Sequence, residues 1–333
     1  RPPGSVTSSG RAGGMSSAVT SSGREMVKVV ESEKAVHLGY FLNGKREEPF
    51  PGERLVTVES PKDVANYDEK PEMAAAEVTA RVLDELAGTA GLIVVNYANV
   101  DVVGHIEDPE AVVKAVRAVD QELGRVLEAA KMAGVTALVT ADHGTVEKWL
   151  YPDGKVDTGH TDSLVPFVIV DDNLKGLTLR EGGALTDVAP AALELLGIEK
   201  PARMRGESLI ASGDAEGKAS RLMLIICDGW GHNDDEHGNM ILKAAPKTMA
   251  SIMKEYPSTT LKASGEAVGM PAGKVGNSES GHLHIGAGRR ILSDRIRIDE
   301  AIADGSFKRN PVFAAAMRRA AGSGKPLHLL EIG

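Results

Sequence analysis

The sequence predicts an α/β protein with a mainly parallel sheet and helices on both sheet faces. Three observations predict it. Runs such as LIVVN (92–96), VTALVT (135–140) and LMLIIC (222–227) are apolar almost throughout, as strands buried on both faces are. Segments with helical spacing alternate with these runs. Gly and Pro punctuate the joints between them.

Residues 1–25 are rich in Ser, Gly and Arg. They lack the apolar centre of a secretory signal and are expected to form a disordered tail, with a faint transit-peptide character. A first residue Arg1 in place of Met points to a fragment or processed material. The stretch from Val36 to Leu42 reads as a strand, and 45–66 as a loop with short extended pieces. A helix is expected over 71–86, with Met73, Val78, Val82, Leu83 and Leu86 on one stripe. The strand 92–96 follows. The next helix, 109–132, opens with Asp108 as N-cap and Pro109 in the first turn, and closes at Gly134. Strands at 135–140 and 166–170 and a helix at 185–196 complete a first part. The polar segment 211–220, ASGDAEGKAS, has linker composition. The same grammar then restarts with a strand at 222–227, a helix at 245–256, a Gly-rich stretch at 265–288, a helix at 311–321 and a strand at 327–330.

Composition narrows the function. The 333 residues suit one large domain or two ordinary ones, and 42% hydrophobic residues allow a sizeable core that is aliphatic, since aromatics are 4%. A charge balance of 38 basic to 47 acidic residues, net −9, argues against a nucleic-acid partner. Arg289, Arg290, Arg295 and Arg297 form one local basic cluster, read as a solvated helix face. The single Cys227 excludes an internal disulfide and fits a reducing cytoplasm. No apolar run approaches the roughly 18 residues that a membrane span needs.

Four segments place metal-type ligands just past the ends of expected strands, where ligand sites of open α/β sheets lie. NVDVVGH offers Asp101 and His105, TADHG offers Asp142 and His143, DTGHTDS offers His160, and ICDGWG offers Asp228. Singly, each Asp reads as a helix cap and each His as locally satisfied. Together they supply mixed carboxylate and imidazole ligands, which suit Mn²⁺ or Zn²⁺ better than Ca²⁺. Six ligands are too many for one catalytic ion with an open position. They suit two ions about 4 Å apart, the arrangement that clamps attacking and leaving oxygens in phosphoryl transfer. A nucleophile comes from KVGNSESGHLHIGAGR, where Ser278 is expected to open a helix and Ser280 is the competing hydroxyl. Lys34, by composition alone, is an ordinary surface lysine.

The stretches LIICDGWG, LKASGEAVGMPAGKVGNSESGHLHIGAGR, NGKREEPFPGE, NVDVVGH, VTADHG and GHTDSLVPF resemble the 2,3-bisphosphoglycerate-independent phosphoglycerate mutases of the alkaline phosphatase superfamily, from about Val27 to Leu330. The resemblance implies an alkaline phosphatase-like fold and two Mn²⁺ ions. It implies Asp101, His105 and His160 on one ion, and Asp142, His143, Asp228 and Ser278 on the other. It also implies that Ser278 is phosphorylated in turnover and that Lys34 contacts the phosphoryl group. The expected substrate is a phosphoglycerate or another small phosphate ester, with no nucleic acid or membrane as partner, in the cytoplasm. In the family the DGWG and NSE segments begin the chain and the DHG and HT segments end it. Here the order is inverted, and the GGVHSH- and DGRD-type motifs of the glycerate-binding domain are absent. The expected organisation is therefore a tail (1–25), a C-terminal half of the phosphatase-type domain (26–210), a linker (211–220), an N-terminal half (221–309), and the start of the glycerate-binding domain (310–333). A metal-dependent phosphatase, or a partial domain relying on a chain that supplies the missing one, would share these residues.

Overall fold

The computed structural model describes residues 13–329. A seven-stranded sheet forms its centre, in the order β2 (Glu53–Val58), β1 (Met26–Glu31), β3 (Leu92–Tyr97), β8 (Leu222–Cys227), β4 (Thr136–Thr140), β5 (Val165–Val170), β9 (Ser258–Leu261). From β2 to β4 all pairings are parallel, while β5 pairs antiparallel with both of its neighbours. The strand after the expected linker, β8, lies in the middle, registered against β3 on one side and β4 on the other. Every residue of β1, β3, β4 and β8 is buried, which explains the apolar runs of β3, β4 and β8; in β1 the buried Lys28 pairs with Glu53 at 2.7 Å.

Helices pack in two groups. One group comprises α2 (Ala75–Leu86), α3 (Asn99–Gly104), α4 (Pro109–Met132), α6 (Met240–Ala244) and α7 (Lys247–Glu255), gathered around α4. The other comprises α1 (Met15–Ser21), α5 (Val188–Leu195) and α8 (Ser278–Ala287). Helix α4 begins as the sequence indicates: Asp108 accepts from the Glu110 and Ala111 N–H groups at 2.9 and 3.0 Å, and Gly134 beyond its end has φ 65°. A buried carboxylate, Asp120 on α4, caps α7 by accepting from the N–H groups of Lys247, Thr248 and Met249. A short pair, β6 (Thr178–Leu179) and β7 (Ile210–Ser212), lies apart from the main sheet.

Several sequence expectations are corrected. Residues 15–21 of the expected tail form α1, because Met15 and Val19 are apolar at i and i+4 and both are fully buried; residues 1–12 lie outside the described residues. The expected strand 36–42 is a 3₁₀ turn (Ser32–Lys34) followed by a π-helix (His37–Phe41). Its buried Leu38 and Leu42 have helical spacing, and the strand lies earlier, at β1. The linker 211–220 is not a free tether: its start is in β7, Ala215 and Ala219 are buried, and the Ala219 N–H bonds to Leu195 O. The helix expected at 245–256 starts at Lys247, because Ala245 has φ 54° and Pro246 follows. Helix α9 (Asp294–Ala303) is not marked by apolar periodicity. Helix α10 (Pro311–Ser323) is present, but residues 327–329 form no strand, and Leu330 lies outside the described residues.

Candidate metal centre and nucleophile

Four adjacent parallel strands deliver the site. Lys34 follows β1, Asp101 sits in the first turn of α3 just after β3, Asp228 directly follows β8, and Asp142 lies two residues after β4. All four side chains are buried. Gly229 makes the approach of two ligand loops possible. At φ 81° it lets Asp228 O accept from the Asp101 N–H at 3.1 Å, and a Cβ there would lie 2.7 Å from that nitrogen.

The nucleophile candidate comes from the other side. Asn277 caps α8 by accepting from the Ser280 N–H at 2.8 Å, and Ser278 is the first helical residue. Gly281 lets α8 lie against the Asp142 backbone, where a Cβ would sit 2.5 Å from Asp142 O. Ser278 Oγ is then 2.7 Å from Lys34 Nζ, 3.0 Å from His143 Nε2 and 3.2 Å from Asp228 Oδ1. Ser280, its competitor in the sequence, turns away and donates to Val268 O at 2.8 Å.

Lys34 is not the ordinary surface lysine that composition suggests. Its ammonium donates to Asp101 Oδ2 at 2.6 Å, Asp228 Oδ1 at 2.7 Å and Ser278. Burial alone would lower its pKa, but the Asp228 and Asp101 charges outweigh burial and raise it. Asp101 shows the reverse balance: burial pushes its pKa up, and the Lys34 charge holds it well below the usual carboxylate range. Asp228 is raised by burial and by the Asp142 carboxylate, against Lys34. His37, on the π-helix, lies with its ring tilted against that of His282, 5.6 Å between centroids, and is lowered to about 4 by burial, His282 and Lys34.

The donor set fits divalent cations. His105 donates its Nδ1–H to Thr158 O at 2.6 Å, His160 to Gly276 O at 3.0 Å, and His143 to Gly144 O at 3.2 Å. Each backbone carbonyl fixes the tautomer and leaves an Nε2 lone pair facing inward. The Nε2 atoms of His160 and His105 lie 3.1 and 3.3 Å from Asp101 Oδ1, and 3.2 Å from each other. His143 Nε2 lies 3.5 to 3.7 Å from Asp142, Asp101 and Asp228 oxygens. Asp142 Oδ2 is buried without an aligned hydrogen bond, and the nitrogen beside it is His282 Nδ1 at 3.2 Å. Three buried carboxylates converge here with imidazole nitrogens, and one ammonium does not balance them. Among the described residues, three groups hold their ligand atoms within 4.8 Å of one another, close enough to share an ion: Asp101–His105–His160, Asp101–His143–Asp228 and Asp142–Asp228–His282.

The sequence pattern of the metalloenzyme superfamily matches residues 15–200 and 220–322. The chain belongs to the metalloenzyme superfamily. Its matched residues span both sides of the inverted junction and include every site residue named above. It is similar to the 2,3-bisphosphoglycerate-independent phosphoglycerate mutases of Moorella thermoacetica, 47% identical over 195 residues, and Pseudomonas fluorescens, 48% over 190. Those matches cover 59% and 56% of this chain and 37% of each relative. Crystal structures of Leishmania mexicana phosphoglycerate mutase at low cobalt concentration share the fold, with a TM-score of 0.51 and 28% identity over 60% of this chain and 39% of that one. The fold is therefore alkaline phosphatase-like, as the resemblance implied. The chain spans about 37% of the length of the curated relatives it matches.

All seven sequence-derived positions, Lys34, Asp101, His105, Asp142, His143, His160 and Asp228, gather with Ser278 at one end of the sheet. Sequence reasoning missed Asn96 and His282, both buried in the same cluster. Two signals point to them. Asn96 is a polar residue ending an apolar strand, and His282 stands one helical turn beyond Ser278.

Proposed function

We propose that this chain carries the phosphoryl-transfer centre of a 2,3-bisphosphoglycerate-independent phosphoglycerate mutase, a glycolytic isomerase that interconverts 2- and 3-phosphoglycerate. The observation that carries the reading is the position of Ser278 Oγ, within 3.2 Å of Lys34, His143 and Asp228 at the start of α8. Asp101, His105 and His160 would hold one Mn²⁺, and Asp142, His143, Asp228 and Ser278 the other. Bound there, the ions supply charge for the equatorial phosphoryl oxygens and lower the pKa of the serine hydroxyl.

Ser278 Oγ attacks phosphorus, and the bond from phosphorus to the glycerate oxygen breaks. Asp228 Oδ1 is placed to accept the hydroxyl proton, at 3.2 Å. Lys34 stabilises charge on the transferring group and orients the nucleophile. The glycerate, turned over, takes the phosphoryl group back from phosphoserine at its other hydroxyl.

The groups that hold and turn the glycerate are proposed to lie on a second domain, whose start is the segment 310–333 of an inverted two-half arrangement. Positioning of that kind accounts for about 7–11 kcal/mol of a barrier. Helices α9 and α10 contain no buried residue, which favours a partner chain that supplies this domain. A cytoplasmic setting is supported by the lone, fully buried Cys227. No helix among the described residues is long and apolar enough to cross a membrane.

The test is an assay with Mn²⁺ of interconversion and of phosphate release, for this chain and for Ser278→Ala. Ser278-dependent interconversion supports the mutase reading. Phosphate release from a generic aryl phosphate without interconversion would make the chain a metal-dependent phosphatase. Inactivity relieved by adding the glycerate-binding domain would make it one half of a two-chain enzyme.

A further inference from the structure

Of the buried histidines at the site, His143 turns its Nε2 to Ser278 Oγ at 3.0 Å. His282 is different. Its ring is fully buried, and its Nδ1 lies 2.8 Å from Ser278 O and 3.2 Å from Asp142 Oδ2. A carbonyl only accepts, so Nδ1 carries the proton. Its Nε2 lies 3.0 Å from Asn96 Nδ2. That Asn96 nitrogen is also 2.8 Å from Asp228 Oδ2, which only accepts. The amide therefore turns its two N–H bonds to Asp228 and to His282, while Asn96 Oδ1 accepts nothing. The opposite amide orientation would set Oδ1 against the Asp228 carboxylate.

Resting on the two-ion reading above, we infer that Asn96 and His282 are a positioning pair and that neither is a metal ligand. Asn96 fixes the Asp228 carboxylate from the side opposite Lys34 and Ser278, which use Oδ1. His282 passes that constraint on to Asp142 and to the backbone of Ser278 itself. The pair thereby couples the ends of β3, β4 and β8 to the first turn of α8, and aligns two carboxylates and the nucleophile for one ion. Asp101, His105 and His160 lie outside its reach. His282 belongs to one of the three ligand groups by distance alone. Both of its ring nitrogens are already engaged within the protein.

The test is calorimetric titration of the full chain with Mn²⁺ for wild type, Asn96→Ala, His282→Gln and the double variant. Outer partners of this kind change metal affinity by about 10–100-fold. One of the two binding steps should weaken by that factor in each single variant while the other stays, and the double variant should be no weaker than the worse single one. Two unchanged steps, or two equally weakened steps, would overturn the inference, as would strictly additive losses. A wild type that binds no ion overturns the two-ion reading and the inference with it. A second measurement needs no variant: ring ¹⁵N shifts of the wild-type chain with and without Zn²⁺. The Nε2 signals of His105, His143 and His160 should move on loading, and that of His282 should stay. A coordination shift at His282 Nε2 would make it a ligand and sink the positioning role.

Discussion

The sheet end that holds Ser278 and the helices α9 and α10 are built from similar residue types and end up in opposite states. Around Ser278, three carboxylates, an ammonium and two histidines are buried, each held by named hydrogen bonds. In α9 and α10 no residue is buried, although Ile298, Ile302, Val312, Phe313 and Met317 are large and apolar. Their ion pairs, such as Arg297 with Asp294, are exposed. The difference teaches where the stability and the chemistry lie. Charged groups tolerate burial at the site because four strands of apolar residues, Leu224 and Ile225 among them, support the loops that carry them. The apolar residues of α9 and α10 have no such support within the described residues.

The comparison can be sharpened by substitution. Leu224→Ala, at the centre of β8, should cost about 2–5 kcal/mol in denaturant unfolding. A loss near zero would mean that the sheet is not the core that carries the site. Removal of divalent ions by a chelator comes next. At a free ion concentration a hundredfold above Kd, binding adds about 2.7 kcal/mol. Chelation should lower the melting temperature and release amide protection in α8, leaving exchange in α9 and α10 unchanged. Equal changes in both regions would erase the distinction.

Glu31 supplies a smaller, pH-dependent contrast. Burial raises its pKa from 4.5 to about 7, and its carboxylate accepts from the Ala74 N–H. The folded state binds this proton more tightly than the unfolded state. Its contribution is therefore complete below pH 4.5 and declines as pH rises, reaching a floor above about 7. Relative to wild type, Glu31→Gln should gain on the order of 2 kcal/mol between pH 4 and pH 8, read from paired melts. A constant difference across that range would refute the assignment. The smallest effect belongs to Phe313→Ala, which should change stability by less than about 0.5 kcal/mol. A larger loss would show that α10 packs against more than the Phe307 ring, whose centroid lies 5.2 Å from that of Phe313.

Much of this was legible in the residues. Uniform apolar runs marked β3, β4 and β8, and Asp108-Pro109 marked the start of α4, because burial on both faces and capping leave local signatures. The ligand positions were legible because Asp and His at strand ends are rare where apolar residues dominate. The π-helix was hidden, since 35–42 carries an apolar pattern that serves a strand or a helix. Lys34 looked exposed, because its carboxylate partners are 67 and 194 residues away. Asn96 and His282 were missed for the same reason: their partnership spans 186 residues and exists only once β3 and α8 meet.

The central claim is that Ser278 takes up the phosphoryl group in a site completed by divalent ions. Intact-mass and peptide mass spectrometry of the chain after incubation with 3-phosphoglycerate and Mn²⁺ tests it most directly. The account predicts a single added phosphoryl group on Ser278, absent in Ser278→Ala and absent after chelation. Phosphorylation at Ser280 or elsewhere, or a Ser278 adduct that forms equally well without divalent ions, would contradict it.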